Sequence, residues 1–165
     1  MTTFYDHDQK LYEKPEGEPV VWRMSGYGVL ENEKGEWLMV EPSWVKKLDF
    51  PGGGIKEEEL IPDGLAREYY EETGYRVNVD SVPLFVGENN FYYLRTGEYS
   101  HAVMMIYRVT LQSEERDAHV VNTFEDGYEI ADMRWVHPDT MTRENTQPPV
   151  WKYVEFLRSI EYGKR

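Results

Sequence analysis

From Pro51 to Tyr75 the chain reads PGGGIKEEELIPDGLAREYYEETGY, a stretch that leaves the backbone few choices. Three consecutive glycines after a proline forbid regular structure and let the backbone approach a ligand closely. Pro62 or Asp63 then opens a helix that runs to about Thr73, since a proline in the first turn gives up only an N–H that lacks a partner there. Gly74 ends it, glycine being the usual left-handed residue just past a helix C-terminus. Helical spacing then sets Glu68, Glu71 and Glu72 at i, i+3 and i+4, three carboxylates on one face of the last turns. Like charges at that spacing repel by roughly 0.2–0.5 kcal/mol per pair, and carboxylates near a helix C-terminus oppose the macrodipole by roughly 0.3–1 kcal/mol each. A hard divalent cation among the oxygens removes the penalty, because such ions prefer carboxylate and carbonyl ligands. For a Glu-rich run taken alone, the alternative is a plain acidic surface helix.

The rest of the chain narrows the function classes. Its 165 residues suffice for one domain with a real core. A formal net charge of −13 argues against a protein that tracks nucleic-acid phosphates or an anionic membrane surface, so no nucleic-acid partner and no membrane are expected. With no cysteine there is no thiolate site or disulfide framework. The start, MTTFYDHDQK, has neither a basic n-region nor an apolar stretch, and the chain reads as cytoplasmic.

Residues 1–19, with Pro15, Gly17 and Pro19, read as an N-terminal arm whose Phe4, Tyr5, Leu11 and Tyr12 can dock on the body. Residues 20–162 read as the single domain. Val20 to Glu31 and Glu36 to Glu41 suggest an antiparallel hairpin around Asn32 to Gly35. Val77–Val79, Val82–Val86 and Asn90–Leu94 look extended, His101–Leu111 is the longest apolar strand, and Gln112 to Tyr128 reads as an acidic loop. A short strand follows at Met133–Val136. After Pro148-Pro149, Val150, Trp151, Val154, Leu157 and Ile160 recur at helical spacing and predict a core-facing helix. Mixed strands with a central and a terminal helix predict an α/β sandwich, its sheet covered on both faces.

Gly53, Glu59, Arg67-Glu68, Glu71-Glu72 and Gly74, with Tyr69 and Tyr75 between, resemble the Nudix box at every defining position. The flanks are similar too, in Trp37 to Val40 and in Met133 to Pro138. The resemblance implies a Nudix-type α/β/α sandwich with a mixed central sheet. It also implies a metal-dependent pyrophosphohydrolase that cleaves a diphosphate linkage in a nucleoside diphosphate derivative, with Mg²⁺ (or Mn²⁺) as cofactor and a small nucleotide as partner. Carried over residue by residue, Glu68, Glu71 and Glu72 with the Gly52 carbonyl would hold metal, while Glu59 and Arg67 would form the loop-to-helix ion pair. In that chemistry, metal coordination lowers the pKa of a bound water and a carboxylate accepts its proton during in-line attack.

The general base is open between Glu68 or Glu71 in the box and Glu129 beyond it, where some members carry a further Glu; Glu125 and Asp126 are its neighbours. Arg23 and Lys47 are candidate phosphate contacts, together with Lys46 and Lys56. Tyr92 lies at about the distance beyond the box where dinucleoside-polyphosphate hydrolases keep a tyrosine. The residue before Glu59 is Glu58 where many members have glycine, and Leu60-Ile61-Pro62 replaces small residues, so substrate class is not transferred from any subfamily. A non-catalytic nucleotide-sensing Nudix domain is the alternative function. RNA 5′-end processing loses ground to the acidity of the chain. Oligomeric state is left open, a homodimer included.

Overall fold

A computed structural model of the chain describes residues 2–120 and 130–162. Its strands are β1 (Thr3–Tyr5), β2 (Leu11–Glu13), β3 (Val21–Val29), β4 (Trp37–Pro42), β5 (Gly52–Gly54), β6 (Tyr75–Val79), β7 (Phe85–Tyr93), β8 (Glu98–Arg116) and β9 (Ile130–Val136). Helix α1 (Ile61–Thr73) and helix α2 (Pro148–Tyr162) complete the frame. Seven strands form a mixed sheet in the order β2-β1-β7-β8-β3-β5, with β6 pairing the far end of β8, and β4 and β9 form a separate antiparallel pair. The expected α/β sandwich with a mixed central sheet is what these elements build.

Strand β8 organises the sheet, running antiparallel to β7 and β6 and parallel to β3. Alternation along β3 sorts side chains between two cores. Val29 and Tyr27 face the cluster that includes Trp37, Phe50, Ile106, Val150 and Tyr153, under α2. Gly26 and Gly28 face α1 instead; a Cβ on Gly28 would lie 2.8 Å from the ring of Tyr69, so the bare glycine is what lets that helix seat against the sheet. Leu65 and Tyr69 of α1 are fully buried there with Leu38, Val77 and Val109. Burial of such side chains contributes roughly 1.5–3 kcal/mol each.

Three elements differ from the sequence expectation. First, β3 and β4 meet only at the turn, where Leu38 N–H donates to the Leu30 carbonyl and Asn32 N–H to that of Glu36. Beyond it they part into different sheets, because β4 buries both faces: Trp37 and Met39 enter one core and Leu38 the other. Second, the extended segments around Val86 and Asn90 are one strand, Phe85–Tyr93, in unbroken register with β8, while Val82 lies exposed before it. Third, β8 continues to Arg116, where its Nε donates to the Thr73 carbonyl at 2.8 Å. That bond places a cation at the acidic C-terminal end of α1, which has no basic residue in its own last turn.

The N-terminal segment is also structured, as a β1–β2 hairpin that extends the sheet through the Tyr5–Phe91 pairing. Among the described residues no helix is long and apolar enough to cross a membrane.

Candidate active site

Helix α1 begins after Leu60, with Pro62 in its first turn, and stops at Gly74, whose φ of 75° and N–H bond to the Tyr70 carbonyl form the left-handed cap that the sequence predicts. Its polar face meets β5, where Gly52, Gly53 and Gly54, expected to forbid regular structure, instead pair antiparallel with Tyr27, Gly26 and Ser25, the bare backbone lying close enough to β3 to complete the ladder. Gly52 has a φ of 144°, and a Cβ there would lie 2.2 Å from the Gly26 carbonyl oxygen, so no other residue fits. At Gly53 a Cβ would sit 2.7 Å from Glu68 Oε2. The glycine run is therefore the surface against which the carboxylates pack.

Arg67 is the hub of the cluster. Its Nε and Nη2 donate to Glu59 at 2.6 and 2.8 Å, its Nη1 to Glu68 at 2.7 Å and Glu71 at 3.2 Å, and its Nη2 also to the Gly54 carbonyl at 3.3 Å. The expected Glu59–Arg67 pair between loop and helix is thus formed and widened to two further glutamates. The Arg67 hydrogen bonds, helped by the Lys56 N–H, hold the Glu59 carboxyl down at about 2. Arg67 is correspondingly raised, chiefly by Glu59.

Glu72 lies apart from that guanidinium. Its Oε2 accepts the Gly52 N–H at 2.9 Å, which brings the Gly52 peptide alongside the carboxylates. Burial drives the Glu72 carboxyl well above its usual range, against the Gly52 hydrogen bond, and the charges of Asp49, Glu68 and Glu71 push it further. Burial also raises Glu68, which Arg67 opposes and Glu71 and Glu59 reinforce. Asp49, half-buried just before the glycine loop, is raised to about 8 by burial against one hydrogen bond from the Phe50 N–H. The Tyr27 hydroxyl is raised as well, by burial and then by the nearby Asp49 charge.

Asp49 did not stand out in the sequence, because an isolated Asp in a loop looks like a turn residue. The available signal was its place three residues before Gly52 in a stretch otherwise apolar, Leu48 to Pro51.

Among the described residues no three His, Cys, Asp or Glu side chains converge to hold a metal ion. Glu59, Glu68 and Glu71 instead share the Arg67 guanidinium as counter-charge. The donor set nevertheless suits a hard divalent cation. Its side chains are all carboxylates, two of them held above their ordinary range by burial and mutual repulsion, which is the electrostatic state a cation relieves.

The remaining candidates sit elsewhere. Arg23 donates to Glu98 Oε1 at 2.9 and 2.6 Å and lies over the Tyr93 ring, on the sheet face that also carries Tyr27. The Lys47 ammonium donates to the His7 carbonyl at 2.7 Å and pairs with Asp8 at 3.4 Å. Tyr92 stacks on Tyr12 at 4.3 Å between ring centroids and packs against Tyr99, on the opposite sheet face from Arg23. Glu129, with Glu125 and Asp126, lies outside the described residues.

Comparison with known proteins bears on the same elements. The NUDIX domain family model matches residues 23–157. The mRNA-decapping protein OPG122 of Variola virus is 26% identical over 122 residues, covering 70% of this chain and 45% of that protein. A MutT-like protein of Streptomyces ambofaciens is 36% identical over 64 residues, or 39% of this chain and 42% of that protein. The chain therefore spans less than half the length of these curated relatives. The MutT protein of Methanosarcina mazei Go1 superposes with a TM-score of 0.58 at 23% identity, covering 88% of this chain and 98% of that one. A UDP-X diphosphatase gives 0.61 at 17% identity, covering 92% and 68%. The family model spans β3 to α2 and includes the glycine loop and every carboxylate of α1, so this chain belongs to the NUDIX domain family.

Proposed function

We propose that the chain is a metal-dependent pyrophosphohydrolase that cleaves the diphosphate linkage of a small nucleoside diphosphate derivative. The observation that carries this reading is the packing of Glu68 and Glu72 against the glycine run, with both carboxyls held above the ordinary range and Glu71 beside them on the same helix. Glu68, Glu71 and Glu72 would hold Mg²⁺ or Mn²⁺, with the Gly52 peptide beside them. A bound divalent ion supplies charge neutralisation on the phosphoryl oxygens and lowers the pKa of water.

The chain's own residues then divide the work. Arg67 and Glu59 fix the start of α1 to the loop, so that the carboxylates keep one geometry through turnover. The attacking water gives its proton to a carboxylate as its oxygen bonds to phosphorus and the bridging P–O bond breaks. Glu71, paired with Arg67 at 3.2 Å, would be a base within α1, with Glu68 and Glu129 as the alternatives. Arg23, on the Tyr27 face of the sheet, would meet a phosphate on leaving Glu98.

The relatives named for decapping bring in one further substrate, since an mRNA cap also carries phosphoanhydride bonds. The test is product release from ADP-ribose, UDP-sugars, dinucleoside polyphosphates, nucleoside triphosphates and a capped RNA oligonucleotide, each with Mg²⁺, with Mn²⁺ and with chelator. Metal-dependent hydrolysis of at least one compact nucleotide supports the reading. Tight saturable binding without hydrolysis would replace it with nucleotide sensing, and cleavage of the capped RNA alone with decapping.

A further inference from the structure

Residues 2–22 lie outside the family match, and no hairpin residue enters either hydrophobic core. Phe4, 1% exposed, packs the hairpin on the sheet, but burial of that one ring does not account for a tip so elaborately built. Asp6 is 2% exposed, and its carboxylate accepts from Asp8 N–H at 2.8 Å, Lys10 N–H at 3.0 Å and Tyr12 hydroxyl at 3.1 Å. Gln9 takes a φ of 63° to close the turn. A buried carboxylate persists only when its hydrogen bonds are met, so this tip has one defined shape. Edge contact of Phe4 with Tyr99 and stacking of Tyr12 on Tyr92 fasten the hairpin to β7 and β8.

The tip in turn holds the loop between β4 and β5. Lys47 reaches the His7 carbonyl and Asp8, and the His7 ring meets the Trp44 ring edge-on at 5.5 Å. Lys47 is only 15% exposed on its side chain, so its ammonium is committed to this contact. Two residues further on is Asp49, and five further is Gly52, whose N–H meets Glu72. The chain thus forms a bridge from Phe91 of β7, through Tyr5 and the tip, to the loop that enters the carboxylate cluster. The bridge lies toward the sheet face of Arg23 and Tyr27, since Phe50 and Leu48 at its end pack in the core on that face.

We infer that the N-terminal hairpin is a selectivity wall of the hydrolase site: by fixing the 43–48 loop through Lys47, it favours compact nucleoside diphosphate derivatives over substrates whose phosphoanhydride carries a long chain. The inference rests on the hydrolase reading above. Lys47 is in this view a positioning residue, acting on substrate through the loop.

The experiment compares kcat and KM for ADP-ribose and for a capped RNA oligonucleotide in the full chain and in Lys47→Met, Lys47→Arg and Asp6→Ala, with amide hydrogen exchange over residues 2–14 reporting hairpin release. The wild type should prefer ADP-ribose. Lys47→Met and Asp6→Ala should each reduce that preference at least tenfold, mainly through KM, and Lys47→Arg should restore most of it. A preference unchanged in variants whose hairpin is released, or a kcat that falls equally for both substrates, overturns the wall, as does a wild type with no preference. Should the wild type hydrolyse neither substrate, the hydrolase reading falls only if the other compounds of the panel are also left intact. Equilibrium titration of the same two compounds then tests the wall: a preference for the compact one that Lys47→Met abolishes sustains it, and one that it leaves unchanged overturns it.

Discussion

Arg67 carries more charge partners than any other described side chain of the cluster, bonding Glu59, Glu68 and Glu71 at once. Replacing it with Met would leave three carboxylates without counter-charge, and the loss of charge-assisted hydrogen bonds costs about 1.5–3 kcal/mol each when buried, less here because the group keeps some solvent. Urea denaturation at pH 7 should show Arg67→Met destabilised, with a midpoint well below that of the wild type. The pH dependence has a fixed sign. Arg67 depresses the Glu59 carboxyl to about 2, so the contribution of this pair is whole above about 4.5. It is lost as pH falls toward 2. Wild-type and Arg67→Met midpoints should therefore converge between pH 4.5 and pH 2. Gly53 tests the packing of the glutamates: a Cβ would strike the Glu68 carboxylate, whose flexible end can move away. Gly53→Ala should cost at least tenfold in kcat while shifting the urea midpoint little; an unchanged kcat would show that Glu68 need not lie against the loop.

At the scale of elements, α1 shows how a helix tolerates a function that opposes its own stability. Its acidic end is relieved from outside, by Arg116 on the Thr73 carbonyl and by Asp117 N–H on that of Gly74. A second tension is the Tyr69 hydroxyl, buried with no hydrogen-bond partner among the described residues. Burial and the Glu72 charge both raise it further. Since an unmet buried hydroxyl costs about 1–3 kcal/mol, Tyr69→Phe should stabilise the chain by roughly 1 kcal/mol, read as a higher urea midpoint. A lower midpoint would mean that the hydroxyl has a partner.

The helix itself was legible because proline, the i, i+3, i+4 carboxylates and the terminal glycine all act locally. So was α2, from Val150, Trp151 and Val154. What escaped was decided by distant packing. Nothing local shows that Leu38 must enter a different core from Trp37, which splits the expected hairpin between two sheets. Gly87, Glu88 and Asn89 look like a break and are carried through as strand only by the β8 ladder. The hairpin at Thr3–Glu13 depends on Asp6 being buried, which its sequence of polar neighbours conceals. In the site, Glu68, Glu71 and Glu72 were readable from spacing and Glu59 and Arg67 from the family resemblance, whereas Asp49 and the partners of Lys47 depend on contacts across 40 residues or more than one strand.

For the whole molecule, a net charge of −13 makes the carboxylate cleft costly to keep ionised, since the surrounding field adds to the local repulsion. Asp49, Glu68 and Glu72 are all raised above their ordinary values, so without a cation their contribution is favourable at low pH and is lost as pH climbs, for Asp49 through about 8. The melting temperature without divalent ions should accordingly fall between pH 6 and pH 8.5. Mg²⁺ should raise it at both pH values and more at pH 8.5; an equal shift at both would detach the ion from these carboxylates.

The most direct measurement follows the substrate's phosphorus atoms by ³¹P NMR in the presence of the wild type with Mg²⁺, the wild type with chelator, and Glu71→Gln and Glu72→Gln with Mg²⁺. For a nucleoside diphosphate derivative that the wild type accepts, the diphosphate resonances should give way to two phosphomonoester resonances in the first sample only. Persistence of the diphosphate across the whole nucleotide panel, or its undiminished loss in both glutamine variants, would contradict the assignment of hydrolysis to the α1 carboxylates.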